Sequence, residues 1–239
     1  MKTLTIKLTA PLQAYGNEAS FERRTSWHAP SKSAVVGMIA AALGMRREDE
    51  RIKSLNDLAY AVRVDQIGKT MTEFQTVEWK PGTRKKPGTR KLTYRDHYQD
   101  AVYVAAVGSE DEELIGKIEY ALKHPRFQLY LGRRACPPAG VLRIESFADT
   151  DPVKVLENMP WQAEKWYQNK QKRKAEFTAE IIADANLLPD AAFTQTVKDR
   201  VESFDPQGRC FGFRLTAKER INLKNPCYEQ KSQDIMDYL

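Results

Sequence analysis

Residues 101–107 read Ala-Val-Tyr-Val-Ala-Ala-Val, with no charge and no glycine or proline. A run this short and apolar, rich in β-branched and aromatic side chains, predicts a strand covered on both faces, in the middle of a sheet. The segments around it suit that sheet. Thr3 to Thr9 alternates polar and apolar residues, the pattern of a half-buried strand. Residues 10–30 form a long loop punctuated by Pro11, Gly16 and Pro30. Ala34 to Leu43 then reads as a helix, with Ser31 or Ser33 as N-cap and Gly44 at its end. Its Gly37, Ala40, Ala41 and Ala42 are small enough to let a helix lie close on a sheet.

Further along, Arg46 to Leu58 reads as continued helix, and Ala59–Ile67, Met71–Trp79 and Leu92–Val107 as strands. Glu110–Lys123 is an amphipathic helix whose acidic start suits the helix dipole. Phe127–Leu131 reads as another strand. The resulting order β, α, β, β-loop-β, α, β predicts an α+β, ferredoxin-like (RRM-like) domain with an inserted hairpin. After about residue 147 the chain becomes more polar, with Trp161, Trp166 and Lys170-Gln-Lys-Arg-Lys174, and only Phe177–Ile182 and Cys210–Thr216 read as strands. The division expected is 1–147 for the first domain, with the hairpin at about 72–100, and 148–239 for a smaller β-rich one.

The 239 residues are 41% hydrophobic and 29% charged, an ordinary folded composition with enough chain for a real core. No apolar run is long enough to cross a bilayer, and Met1 to Ile6 enters a strand pattern rather than a signal peptide. Cys136, Cys210 and Cys227 are odd in number and widely spaced, which suits reduced thiols, not disulfides or a zinc site. These features point to a cytoplasmic protein without a membrane, metal or small-molecule cofactor. The formal net charge of +6 matters through its distribution.

Three places concentrate that charge. Lys80 to Arg95 holds Lys80, Arg84, Lys85, Lys86, Arg90, Lys91 and Arg95 with no acidic residue, and repeats Pro-Gly-Thr-Arg-Lys at 81–85 and 87–91. Pro and Gly resist regular pairing there, so the segment should project between strands as a cationic finger suited to a phosphate backbone. The plainer alternative is a solvated hairpin tip. Phe21 to Ser33 carries Arg23, Arg24, Trp27 and His28, then Ser31, Lys32 and Ser33 at the helix start, where free N–H groups could hold phosphate. A simple helix cap fits the same residues equally well, and the Gly-x-x-x-x-Gly-Lys spacing of nucleotide-binding loops is absent. Gly132-Arg133-Arg134-Ala-Cys-Pro-Pro138 offers two arginines on a stiffened turn, or merely a structural turn.

Catalysis finds little support. Metal-independent RNA cleavage needs a base and an acid, and the chain has only His28, His97 and His124. His124 reads as structural at a helix end, His97 as a polar partner beside Asp96 and Tyr98, and His28 as an RNA contact. No carboxylate cluster suggests a two-metal site, and no Cys/His constellation suggests a cysteine nucleophile.

On these segments the chain resembles the CasD family, the RAMP-superfamily subunits that bind the crRNA 5′ handle in type I-E CRISPR Cascade complexes. The resemblance lies in Leu8–Gly16, Pro30–Gly37 with Ala40–Gly44, Tyr94–Ala101 and Leu129–Pro138, and more weakly in Arg209–Arg214 and the tail Asp234–Leu239. It implies a ferredoxin-like domain with a β-hairpin thumb that helps kink the RNA, and a smaller C-terminal β domain. It also implies contacts with the crRNA 5′ handle, the backbone subunit CasC and the large subunit CasA, in antiviral defence. Such subunits do not cut RNA, whereas the type I-C counterpart is a repeat-processing endoribonuclease, which stays as the alternative. The expected RNA contacts are Arg23, Arg24, Trp27, His28, Ser31, Lys32, Ser33, Arg84, Lys85, Lys86, Arg90, Lys91, Arg95, Arg133 and Arg134, with no catalytic residue assigned. The reading requires the 21–33 segment and the hairpin to lie side by side.

Overall fold

In the computed structural model, residues 1–17, 19, 22–79 and 89–230 are described. The chain is a mixed α/β protein built mostly of strands. Its centre is a seven-stranded sheet made of β1 (Lys2–Thr9), β6 (Ala59–Gln66), β9 (Val102–Ser109), β10 (Arg143–Phe147), β11 (Glu176–Asp184), β12 (Thr194–Ser203) and β13 (Cys210–Lys224). The short strands β2 (Leu12–Gln13), β3 (Tyr15–Gly16), β4 (Arg23–Arg24) and β5 (Ser26–Trp27) fall in the loop read at 10–30. Strands β7 (Lys69–Trp79) and β8 (Thr89–Gln99) pair with each other in unbroken antiparallel register from Lys69↔Gln99 to Trp79↔Thr89.

The sheet order is β10-β1-β9-β6-β11-β13-β12. The apolar run at 101–107 therefore sits in β9, between β1 and β6. Its side chains alternate between two cores. Tyr103, Ala105 and Val107 meet α1 (Lys32–Ala42) and α2 (Glu112–Lys123), whereas Val104 and Ala106 face the layer of α3 (Pro152–Asn158). Leu4, Ile6 and Leu8 of β1 are fully buried on the first side; each such burial stabilises the fold by about 1.5–3 kcal/mol. Strands from both sides of residue 147 share this sheet, because β11 pairs with β6.

Local signals explain the helices. Ser31 caps α1 by accepting from Ala34 N–H, and Gly44 ends it with φ +78°. Asp111 caps α2, followed by Glu112 and Glu113 in its first turn. Four expectations need correction. Arg46 to Leu58 contains only a 3-10 helix, Glu50–Asp57. Leu92 to Val107 is two strands, broken where Asp100 takes φ +55°. Phe127–Leu131 is irregular, its backbone serving a tight loop in place of a ladder. Thr194–Ser203 is a strand that the sequence reading missed.

A buried ion pair fixes the α3 layer to the sheet. Arg63 and Asp65, both on β6 and inaccessible, form two hydrogen bonds of 2.7 and 2.8 Å. The remaining guanidinium donors go to the carbonyls of Leu156, Met159 and Pro160. All five Arg N–H groups are thereby used, which is what a charge buried this deeply requires.

Candidate nucleic-acid interface

The hairpin strand β8 gathers the loop segments around itself. Beyond its pairing with β7, it pairs with β2 through Leu12↔Gln99 and with β4 in parallel through Arg23↔Tyr94 and Arg24↔Arg95. Tyr94 N–H also donates to Glu22 O at 2.7 Å. Residues 22–24 therefore lie against the hairpin strand, whereas the expected finger at 80–88 lies outside the described residues.

The arginine loop closes on the same place. Gly132 has φ +83°, and a Cβ there would fall 1.8 Å from Ala14 O, so only glycine permits this approach. Backbone bonds from Leu131 to Cys136 and from Cys136 to Arg133 tighten the turn. Arg133 Nη2 then donates to Arg24 O at 3.0 Å. Among the described residues, Arg133 Nη1 and Arg95 Nε are buried yet have no hydrogen-bond partner. Burial, and then the neighbouring Arg95, lower the pKa of Arg133. Two guanidinium groups are thus held near each other with donors unspent, an arrangement that a phosphate oxygen would relieve. Arg24 and Arg134 are exposed beside them, and Arg90 and Lys91 are exposed along β8. Arg23 lies 3.5 Å from Asp96, which also accepts from Thr72.

The helix entrance behaves differently, and corrects the expectation for Lys32. Its side chain is buried and donates to Asp184 at 3.0 Å, while its N–H donates to Asp199 at 2.8 Å. Arg214 binds both carboxylates, and Asp184 also accepts from Tyr60 N–H. The anion at the start of α1 is the protein's own Asp199, so this end is a structural hub and not a phosphate cradle. Ser31 and Ser33 are 3.1 Å apart, and Ser31 is spent on capping. Trp27 is half-buried against the main core. His28 binds Glu180 at 3.2 Å. Arg84, Lys85 and Lys86 lie outside the described residues.

The histidines make no paired acid and base. His97 is buried, its Nδ1 lies 3.3 Å from Arg95 O, and burial followed by Arg133 lowers its pKa. His124 is stacked on Tyr120 at 4.5 Å. Among the described residues, no group of three or more His, Cys, Asp or Glu could hold a metal ion, and no helix is long and apolar enough to cross a membrane. Asp184, Asp199 and Arg214 had no local signature, because the two aspartates reach Lys32 from far along the chain and Arg214 acts only through them.

Chemically, then, the hairpin base is an arginine-lined surface on a mixed α/β scaffold, suited to a polyanion. The chain matches the CRISPR-associated protein (Cas_Cas5) family over residues 3–216 and belongs to it. It is 28% identical over 169 residues to the CRISPR system Cascade subunit CasD of Escherichia coli (strain K12), covering 65% of this chain and 75% of that one. Its fold resembles a chain of a CRISPR RNA-guided surveillance complex, with a TM-score of 0.70, 26% identity, and coverage of 98% and 96% of the two chains. A crystal structure of a Cas protein is similar with a TM-score of 0.65 and 25% identity, over 96% and 98%.

Proposed function

We propose that this chain is a non-catalytic, cytoplasmic subunit of a type I-E CRISPR surveillance complex, which binds and caps the 5′ handle of crRNA. The observation that carries the reading is the convergence of Arg24, Arg95 and Arg133 at the hairpin base, with Arg95 Nε and Arg133 Nη1 unpartnered among the described residues. Unspent guanidinium donors in a water-poor recess match a phosphate better than they match solvent. The relative named as a Cascade subunit and the structural likeness to a surveillance-complex chain support the same assembly. On this reading, residues 1–147 form a ferredoxin-like unit whose β7–β8 hairpin acts as a thumb against the RNA. Residues 148–239 form a smaller β-rich part bracing it, and neighbouring CasC and CasA subunits take the flanking surfaces.

The non-catalytic part rests on the histidines. His97 is buried with a lowered pKa and His28 is held by Glu180, so neither histidine stands free beside the arginines. The test is to express the chain with its neighbouring subunits and a CRISPR array, then determine the length and 5′ end of the RNA that co-purifies. A defined handle retained by the wild type and lost on substitution of Arg95 and Arg133 is expected. Incubation of the purified chain with repeat RNA in chelator should leave the RNA intact; a shortened product would establish the endoribonuclease instead.

A further inference from the structure

A cavity of about 500 Å³ opens between the hairpin base and the sheet. Its walls are Val64 of β6, Ile67 of the turn into β7, Tyr98 of β8, Tyr103 of β9 and Phe177 of β11. Val64 and Tyr103 belong to the main core, whereas Ile67 is 64% exposed at the mouth. Phe177 is backed by Trp161, stacked on it with centroids 4.5 Å apart. The recess is therefore apolar and aromatic on a rigid backing, the kind of wall on which a base stacks.

One edge is polar. Glu180, His28 and Arg220 line it. The Glu180 carboxylate accepts from His28 through Oε2 at 3.2 Å, and its Oε1 has only a 3.5 Å contact with Lys218. His28 holds the Glu180 pKa below the usual carboxylate range, with Lys218 assisting. An ionised carboxylate accepts hydrogen bonds and donates none. Arg220 lines the cavity and is exposed on β13, as is Lys218, which pairs with Glu180. Alternation along β8 sends Tyr98 to the same face as Asp96, the partner of Arg23.

We propose that this cavity is a nucleobase pocket: one unstacked base bearing an exocyclic amine inserts against Tyr98 and donates to Glu180, while Arg220 holds a flanking phosphate. The inference rests on the RNA-binding reading above and deepens it, assigning base selectivity to a residue outside the arginine cluster. Cytosine offers its N4 amine to a carboxylate, whereas uracil presents an acceptor in the same place and is repelled.

Short cytidine and uridine homo-oligomers test this, titrated into the full-length chain at one low salt concentration. Cytidine should bind about tenfold more tightly than uridine. Glu180→Gln should bring the two within about twofold, by weakening cytidine and relieving the repulsion of uridine, because glutamine both donates and accepts. Ile67→Trp, which plugs the exposed mouth without touching Glu180, should also abolish the preference. Arg220→Ala should weaken both oligomers alike and reduce the salt slope by about 0.7. Equal wild-type affinities, or a preference that survives Glu180→Gln and Ile67→Trp, would overturn the pocket and leave the arginine surface standing. Failure to bind either oligomer would remove the RNA-binding function itself, and the pocket with it.

Discussion

If Arg24, Arg95, Arg133 and Arg134 each neutralise one phosphate, binding of a single strand should carry a salt slope of about −2.8, at about −0.7 per contact. Raising salt from about 50 to 200 mM, about 0.6 log unit, would then cost roughly 1.7 log units, or fiftyfold, in affinity. Replacing both Arg95 and Arg133 with Gln should halve the slope to about −1.4 and shrink the loss to about sevenfold. Glutamine at 133 keeps a donor for the Arg24 carbonyl, so the loop contact of 3.0 Å has a substitute. The free protein should not suffer, because the change removes two like charges whose proximity and burial lower the Arg133 pKa. Anisotropy titrations at several salt concentrations would measure the slope, and thermal unfolding without RNA would measure stability. For the wild type, RNA at about 100 times its Kd should add about 2.7 kcal/mol, and the double variant should show a smaller shift at the same concentration. An unchanged slope, or a variant that loses stability along with binding, would show that these arginines serve the fold and not a phosphate backbone.

Four further outcomes follow from the geometry. Arg63→Met should cost about 3–5 kcal/mol in urea unfolding by stranding the Asp65 charge, and adding Asp65→Asn should recover part of that loss. Gly132→Ala should destabilise the fold and weaken RNA binding together, since its Cβ would strike Ala14 O and displace Arg133; circular dichroism and titration would register both. Burial holds the His97 pKa below its ordinary value, so the unfolded chain takes up the proton first. The associated stability is complete above about pH 6.5 and falls as pH drops towards the folded value, a slope that thermal melts of His97→Gln should lack. Asp199→Ala should unfold the protein more readily without exposing a phosphate site at α1, because Lys32 and Arg214 keep Asp184; melting with and without RNA would separate the two effects.

The hairpin, the central strand and the two capped helices were legible because each rests on neighbours in sequence. The apolar run 101–107, Ser31 with Gly44, and Asp111 with its acidic first turn all carry their instructions within a few residues. Strand β12 was not legible. In Thr194–Ser203 only Val197 and Val201 are aliphatic, and a bulge between Val197 and Arg200 breaks the alternation. Phe127–Leu131 failed in the opposite direction. It is apolar enough for a strand, but Leu131 is drawn into the turn that Gly132 makes against Ala14.

The arginine surface divides along the same line. Arg23, Arg24, Arg95 and Arg133 could each be picked out as basic residues in loop-like contexts, yet their meeting depends on the parallel β4–β8 pairing, which has no local code. Lys32 looked equivalent to them, although Asp184 and Asp199 neutralise it from more than 150 positions away. A cation's type and spacing therefore could not separate a ligand contact from an internal salt bridge in this chain. The separating variable is whether the fold delivers a carboxylate. At α1 it delivers two together with Arg214, closing the network electrically. At the hairpin base the described carboxylates near the cluster, Glu73 and Asp96, leave Arg95 Nε and Arg133 Nη1 unmatched. An outside anion would satisfy that surplus of donors, which is why the salt slope is the measurement on which the proposed reading turns.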